Sequence, residues 1–534
     1  MAVHPAIATQ PGPERVIHRV PMGTTAFVGR TLKGPVDQPV RVGSFAEFQQ
    51  IFGGLWQPST LSYAVEQFFD NGGRAALIVR VVNGARAPTL ALPAATGCLR
   101  LAGVHPGSRE YLRASVDYDG IDAAATDRFN LVIQRLGAAG TEQVWSQEIL
   151  RRISVDPASP RFVADVLAGS SLVRVLGEVP PVRPARTPGS GGAVVGYVAA
   201  NADGDDGAPL SDYDLIGSAP ACTGLFALKA QHDFGLLYLP PPTRAQDLGL
   251  SVLLVAARLC RERRAVLVVD PPHSWTDVAD VQLGLPRWPF RSDHAAMFFP
   301  RVLAFDRLRN REMSFAPGAA AAGMLARQAV LPLRAQEGAE AQLRPLLRAA
   351  LPVTEADGVR LAQLGVNTLQ AVRPARGGSR PRTLSAGPAG AGGSLAARRL
   401  EFLIATSIER GTRWVQQAPN EPGSWERAAG QVGEFLESLR RDGAFAAADP
   451  GDSWFVVCDA RVNRPDTVAA GAFNLLYGYA LLKPADFHCW LVSHKGGECR
   501  VRPVSVNRLA TAPERVEWEI ETAILKRLVL HPDA

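Results

Sequence analysis

The chain has 534 residues, of which 47% are hydrophobic and 20% charged, with a formal net charge of +6. That balance excludes a wholly disordered polypeptide, and the length exceeds what one core usually serves, so roughly two to four domains are expected. The basic excess, 57 Lys and Arg against 51 Asp and Glu, is too mild to mark a nucleic-acid protein by itself.

Residues 1 to about 22 are Pro-rich with little apolar pattern and read as an extended arm. A strand is expected in TTAFVGR, from Thr24. Ser44 followed by Glu47 is a capping-box spacing that opens a helix over FAEFQQIF, stopped by Gly53-Gly54. LSYAVEQFFDN, opened by Ser59 or Thr60, places Leu61, Ala64, Val65, Phe68 and Phe69 on one helical face. AALIVRVV then reads as a buried strand, and strand–helix–strand order implies an α/β layer. From about 88 to 198 the pattern shifts to alternating strands (YLRASVDY, RFNLVIQRL, TEQVWSQEIL), a β-rich insertion ending in the loop 180–192. The α/β pattern returns with FGLLYLPPP, a helix over 245–263 and the strand AVLVVDPP. Residues 371–400 form an Arg- and Gly-rich loop. Two helices, Leu395 to Arg410 and Ser424 to Asp442, precede strands in SWFVVCD and YALLKPADFHCWLVS. The last twenty residues fit a strand through Val516, Trp518 and Ile520 or a helix through Ile520, Ile524 and Leu528. No repeat is present.

No motif marks a reactive centre. A phosphate-loop pattern and GxSxG are both missing. NADGDDG, 201–207, has Asp206 where a calcium loop of the EF type needs Gly and Asp212 where it needs Glu, so a polar turn is expected. His488, Cys489, His494 and Cys499 have the ligand types for zinc, but a strand there points His488 and Cys489 to opposite faces. His232-Asp233 and His273 fall near strand ends without a partner nucleophile. The Arg-rich loop has no interleaved aromatic residue for stacking on bases. The six cysteines form no CxxC pair and read as thiols of a reducing compartment. The N-terminus has no apolar signal core, and the longest apolar run, Leu248 to Ala257, stops at Arg258, short of a membrane span. Folding in the cytoplasm, no cofactor, no metal and no enzymatic role are therefore expected.

Several segments together resemble the phage tail sheath family: AFVGRTLKGPVDQPVRVGSFAEFQQIFGG (26–54) with LSYAVEQFFDNGGRAALIVRVV (61–82); NADGDDGAPLSDY with TGLFALK (201–229); RRAVLVVDPP (263–272); SDHAAMFFPRVLAFD and PGAAAAGMLAR (292–327); and LGVNTLQ, SIERGTRWVQQAPNEPGSWERAAGQVGEFLESLRRDGAF and LLKPADFHCWL in the C-terminal part. The resemblance spans nearly the whole chain, in order. It implies a multidomain α/β (α+β) subunit of a contractile sheath: an arm at 1–23, a sheath α/β domain at 24–87 and 199–330, the inserted outer domain at 88–198, a C-terminal domain at 331–491 and an extension at 492–534. It also implies self-assembly as hexameric rings stacked around an inner tube protein, with baseplate and cap proteins as further partners. Neither nucleic acid nor membrane insertion is implied. Arg15, Val16, Ile17 and Val20 of the N-terminal arm, and Phe487, Trp490 and Leu491 of a C-terminal strand, are the residues expected at inter-subunit contacts. Arg427, Arg440 and Arg441 of the 424–442 helix are expected to face the tube; core packing of that helix through Val432, Phe435, Leu436 and Leu439 is compatible with that role. Three departures stand out: PGPERVIHRV replaces the family's usual arm, a Gly-rich loop follows PRTL, and about forty residues extend past Leu491. They leave open a specialised paralogue at the baseplate or cap end that does not form the bulk sheath.

Overall fold

A computed structural model describes residues 16–189, 196–329, 343–344, 346–369, 381–385, 393–445, 447, 449–481 and 486–504. Arg15, most of the Arg-rich loop and the ambiguous C-terminal stretch lie outside them. The described residues form a multidomain assembly of helices and several sheets, the α/β class expected.

A seven-stranded sheet lies at the centre. Its spatial order is Val366–Thr368, Ala295–Phe299, Val266–Val269, Leu236–Tyr238, Thr25–Gly29, Ala76–Arg80 and Val40–Val42. All neighbours are parallel except the last pair. The inner strands are buried throughout, which a parallel sheet requires when both faces are covered. Alternate residues feed two cores. Phe27, Ile78, Tyr238, Val268 and Phe298 pack with the helices Leu61–Asp70 and Gly318–Gln328. Val28, Val79, Leu237, Val269 and Met297 pack with the helix Leu250–Arg263 on the opposite face. The Val366–Thr368 strand came from the segment expected as C-terminal domain; its backbone bonds to Met297–Phe299 put it in the central sheet instead.

The helix Phe45–Phe52 starts at Ser44, whose hydroxyl accepts the Glu47 N–H, and ends at Gly53 in a left-handed conformation, φ 92°. Glu47 closes back on the Gly43 N–H rather than on Ser44, one residue earlier than a capping box. The helix expected over 245–263 begins only at Leu250. The preceding turn is held otherwise, because Asp247 accepts the His273 backbone N–H at 2.8 Å.

The insertion is all-β apart from the short helix Val163–Ala168. A four-stranded antiparallel sheet (Val198–Ala199, Tyr111–Asp117, Arg128–Leu136, Val144–Ser154) shares one core with a three-stranded sheet (Thr89–Pro93, Cys98–Gly103, Val173–Val175) through Leu90, Leu101, Leu112, Phe129 and Ile133. NADGDDG is the clamp at its base. Asp203 accepts the Thr89 N–H and hydroxyl, and Asp206 accepts the Ser108 N–H and hydroxyl, all within 2.9 Å. Carboxylates that bond backbone in this way hold a turn rather than a cation.

Candidate assembly interface

The C-terminal unit is built from two helices, Leu395–Gly411 and Pro422–Arg441, laid on a four-stranded antiparallel sheet. Its strands, in order, are Trp454–Val457, Phe473–Ala480, Phe487–Lys495 and Glu498–Val504. Leu475, Tyr477, Tyr479 and Val492 face the helices and meet Val432, Phe435, Leu436 and Leu439. The opposite face is thinner: Leu476, Cys489 and Val504 are buried there, while Phe455, Phe487 and Leu491 are half-buried. The Phe455 and Phe487 rings meet edge to face, 5.1 Å between centroids.

Phe487, Trp490 and Leu491 therefore lie on an interior strand. Tyr477 and Leu476 pair with Trp490 and Leu491 on one side, and Pro503 and Arg502 pair with them on the other. The strand expected to meet a neighbour has no free backbone edge in this chain, because the next seven-residue strand folds back on it through Gly496-Gly497. Both glycines have positive φ, 58° and 84°, as a two-residue hairpin turn of the favoured twist demands. Among the described residues the outer strands of this sheet are Trp454–Val457 and Glu498–Val504, and the segment from 492 continues the sheet to Val504 instead of leaving it.

The N-terminal segment runs without regular structure along the Leu395–Gly411 helix before entering the central sheet. Ile17 is buried among Ile404, Ile408 and Leu436. A Cβ on Gly411 would sit 2.6 Å from the Ile17 side chain, so the glycine makes room for it. The Val20 N–H donates to the Ser407 hydroxyl, and Arg399, wholly buried, donates to the Met22 carbonyl. Arg19 pairs with Asp442 at 2.5 Å. Of the expected arm residues that are described, Val16 points out, 59% exposed, while Ile17 and Val20 bind their own chain.

The Leu395–Gly411 helix also ties this unit to the central domain. Arg398 pairs with Asp293, Glu409 with Arg264, and Arg410 with Asp233. On its other side Glu401 lies 3.2 Å from His488 Nδ1, and that contact raises the imidazole above its usual pKa. The sequence does not mark this helix as a bracket, because its partners Asp233, Arg264 and Asp293 lie more than a hundred residues away.

Of the expected tube-facing cations, Arg427 is exposed and stacks over Trp414 at 5.3 Å. Arg440 and Arg441 both bond Glu437, at 2.8 and 3.2 Å. The Arg440 guanidinium holds that carboxyl down to about 2. Fourteen residues separate Arg427 from Arg441, about 20 Å of helix, so the three do not form one patch.

Elsewhere, His273 and Asp247 meet at 2.9 Å beside a cleft at the carboxyl ends of the central strands. Its volume, about 50 Å³, is far below that of a small-molecule site. Asp270 in its wall is committed to Tyr238 Oη at 2.7 Å and to the Gly318 N–H at 2.8 Å, and burial pushes its carboxyl up to about 6. His232 and Asp233 engage Arg263 and Arg410. His494 faces Cys499 across the hairpin, Nε2 to Sγ 3.7 Å. Among the described residues no three His, Cys, Asp or Glu converge on one point, and no helix is long and apolar enough to cross a membrane.

No protein-family model and no curated protein matches this sequence. Solved structures do match, over nearly the whole chain. A sheath tail protein of Listeria innocua aligns with 89% of this chain and 95% of its own at a TM-score of 0.58 and 11% identity. The sheath of an extracellular contractile injection system, PVC, in its contracted state aligns with 91% of this chain and 96% of its own, at 0.52 and 13%. A sheath tail protein of Desulfitobacterium hafniense covers 92% and 100%, at 0.52 and 10%. The fold is that of the tail sheath proteins. The sheath fold here includes the β insertion and the C-terminal unit, since the alignments leave at most about a tenth of the chain unmatched.

Proposed function

We propose that this protein is a structural subunit of a contractile sheath, which assembles as stacked hexameric rings around an inner tube and contracts to drive the tube through a target envelope. The observation that carries the reading is the end-to-end correspondence with sheath proteins, one of them in a contracted sheath complex. A fold does not by itself assign a function. The sheath motifs quoted above, in order along the chain, are an independent support. The subunit would be made in the cytoplasm and work without a cofactor, storing energy in the difference between two packings. Its partners would be copies of itself, the tube protein, and baseplate and cap proteins. The exposed Val16 and the outer strand Trp454–Val457 would be the surfaces offered for strand addition between subunits. The exposed Arg427 and Arg441 are the cations offered to the tube.

A second reading has one specific observation in its favour. The Glu498–Val504 strand covers the edge of Phe487–Lys495 that a neighbour's strand would need. A subunit that completes its own sheet suits a specialised ring at the baseplate or cap end.

Negative-stain electron microscopy of the purified chain separates the two. Hollow tubes of uniform width, from the full chain and from a form ending at Val504, are expected of a bulk sheath subunit. Monomers or single rings from both would refute polymerisation and leave the specialised ring.

A further inference from the structure

Between the central domain and the insertion lies a half-enclosed cavity of about 550 Å³, well within the range of small-molecule sites. Four segments distant in sequence build it. Lys33 and Gly34 come from the loop after the first central strand, His105 and Glu110 from the insertion's loops, Arg135 from the strand Arg128–Leu136, and Trp145 from Val144–Ser154.

The charges in it do not balance. Lys33 is only 5% exposed, yet no oxygen acceptor among the described residues bonds its ammonium; Nζ lies over the Trp145 ring, 3.4 Å from the centroid. Arg135 Nε bonds Glu110 at 2.5 Å, but Arg135 Nη2, also buried, has no partner. Behind them Arg80, 1% exposed, donates to the carbonyls of Gly34 and Pro106. Glu110 is thus the single carboxylate lining the cavity, against the two cations Lys33 and Arg135. Burial pushes the Lys33 ammonium down to about 8, and burial with the surrounding guanidinium groups pushes His105 down to about 4. A buried cation with free N–H donors is costly unless an anion completes it.

We infer that this cavity binds a small anion carrying a phosphate or carboxylate group, held between Lys33 and Arg135, with its remaining atoms against the indole of Trp145. Trp145 is 40% exposed and so offers a stacking face to whatever enters. Neither the assembly surfaces nor the sheath reading requires such a ligand; the inference stands on the cavity alone. The size of the cavity favours a free molecule over a single side chain from a neighbouring copy.

Isothermal titration of the whole chain with inorganic phosphate, and separately with citrate, tests it and tells phosphate from carboxylate chemistry. Saturable one-to-one binding of either anion is expected. Lys33→Gln should weaken it about tenfold or more, by removing the opposite charge. Glu110→Gln should tighten it, because the competing carboxylate is gone while the hydrogen bond to Arg135 is kept. A damaged fold would weaken binding in both variants, so the opposite directions read the site and not its stability. The inference is overturned if neither anion binds saturably up to about 10 mM, or if binding is the same in wild type and both variants.

Discussion

Glu66 shows how one buried side chain sets a pH dependence. It sits in the Leu61–Asp70 helix, 8% exposed, with Arg307 Nη2 2.8 Å away. Burial, with Asp70 and Asp306 nearby, outweighs Arg307 and pushes its carboxyl from 4.5 up to about 7. The folded state therefore prefers the protonated acid, and stability falls as pH rises from about 4.5 to about 7. Glu66→Gln should raise the Tm at pH 8, by an amount corresponding to about 1–3 kcal/mol, and change it little at pH 4; thermal melts at both values check this. Ile17 makes the residue-scale case for the arm. Ile17→Asp puts a carboxylate among Ile404, Ile408 and Leu436 and should unseat residues 16–24 at a cost of about 2–5 kcal/mol. Faster tryptic cleavage after Arg19 is the readout.

At the scale of the element, the C-terminal hairpin depends on its turn. Gly497→Val forces a β-branched residue to φ 84° and should cost about 1–2 kcal/mol, seen as faster hydrogen exchange in Glu498–Val504 while the central sheet stays protected. The contact between His488 and Glu401 fastens this sheet to the Leu395–Gly411 helix in a pH-dependent way. Because Glu401 raises the folded-state pKa of His488, the stabilisation is complete below the unfolded value of 6.5 and is lost as pH rises through the folded one. His488 is partly exposed, so solvent screening holds the effect under about 1 kcal/mol. The Tm difference between wild type and Glu401→Gln should narrow from pH 6 to pH 8.

For the whole molecule, the position of the C-terminal boundary matters most. A cut after Leu491 would remove half of the Phe487–Lys495 strand and the edge strand beyond it, taking the partners from Phe473, Asn474 and Leu475 on one side and from Cys489, Trp490 and Leu491 on the other. That truncation should aggregate or melt well below the full chain. A cut after Val504 leaves the sheet whole and should melt close to it; differential scanning fluorimetry compares them. One helix, Leu395–Gly411, carries the arm on one side, the C-terminal sheet on another and the ion pairs to Asp293, Arg264 and Asp233 on a third. A subunit braced in this way suits rigid-body motion between two packings.

The α/β class, the first strand, the helices at Phe45 and Leu61, the β insertion and the two long C-terminal helices were legible from the sequence, because hydrophobic period and capping residues are local. The sheath likeness was legible too, from motifs in order along nearly the whole chain. What lay beyond the sequence was pairing. Nothing local to Val366–Thr368 says that Met297–Phe299 will be its neighbour, and nothing in FHCWLV says whether its second edge will be taken by its own chain or left free. The acidic turn at 201–207 had the composition of a cation loop, and only its position under Thr89 and Ser108 made it a clamp. Lys33, Arg135 and Trp145 are more than a hundred residues apart from first to last and carry no motif. Backbone pairing and charge balance in a cavity are long-range quantities, decided where segments distant in sequence meet, and so the tertiary structure alone could set them.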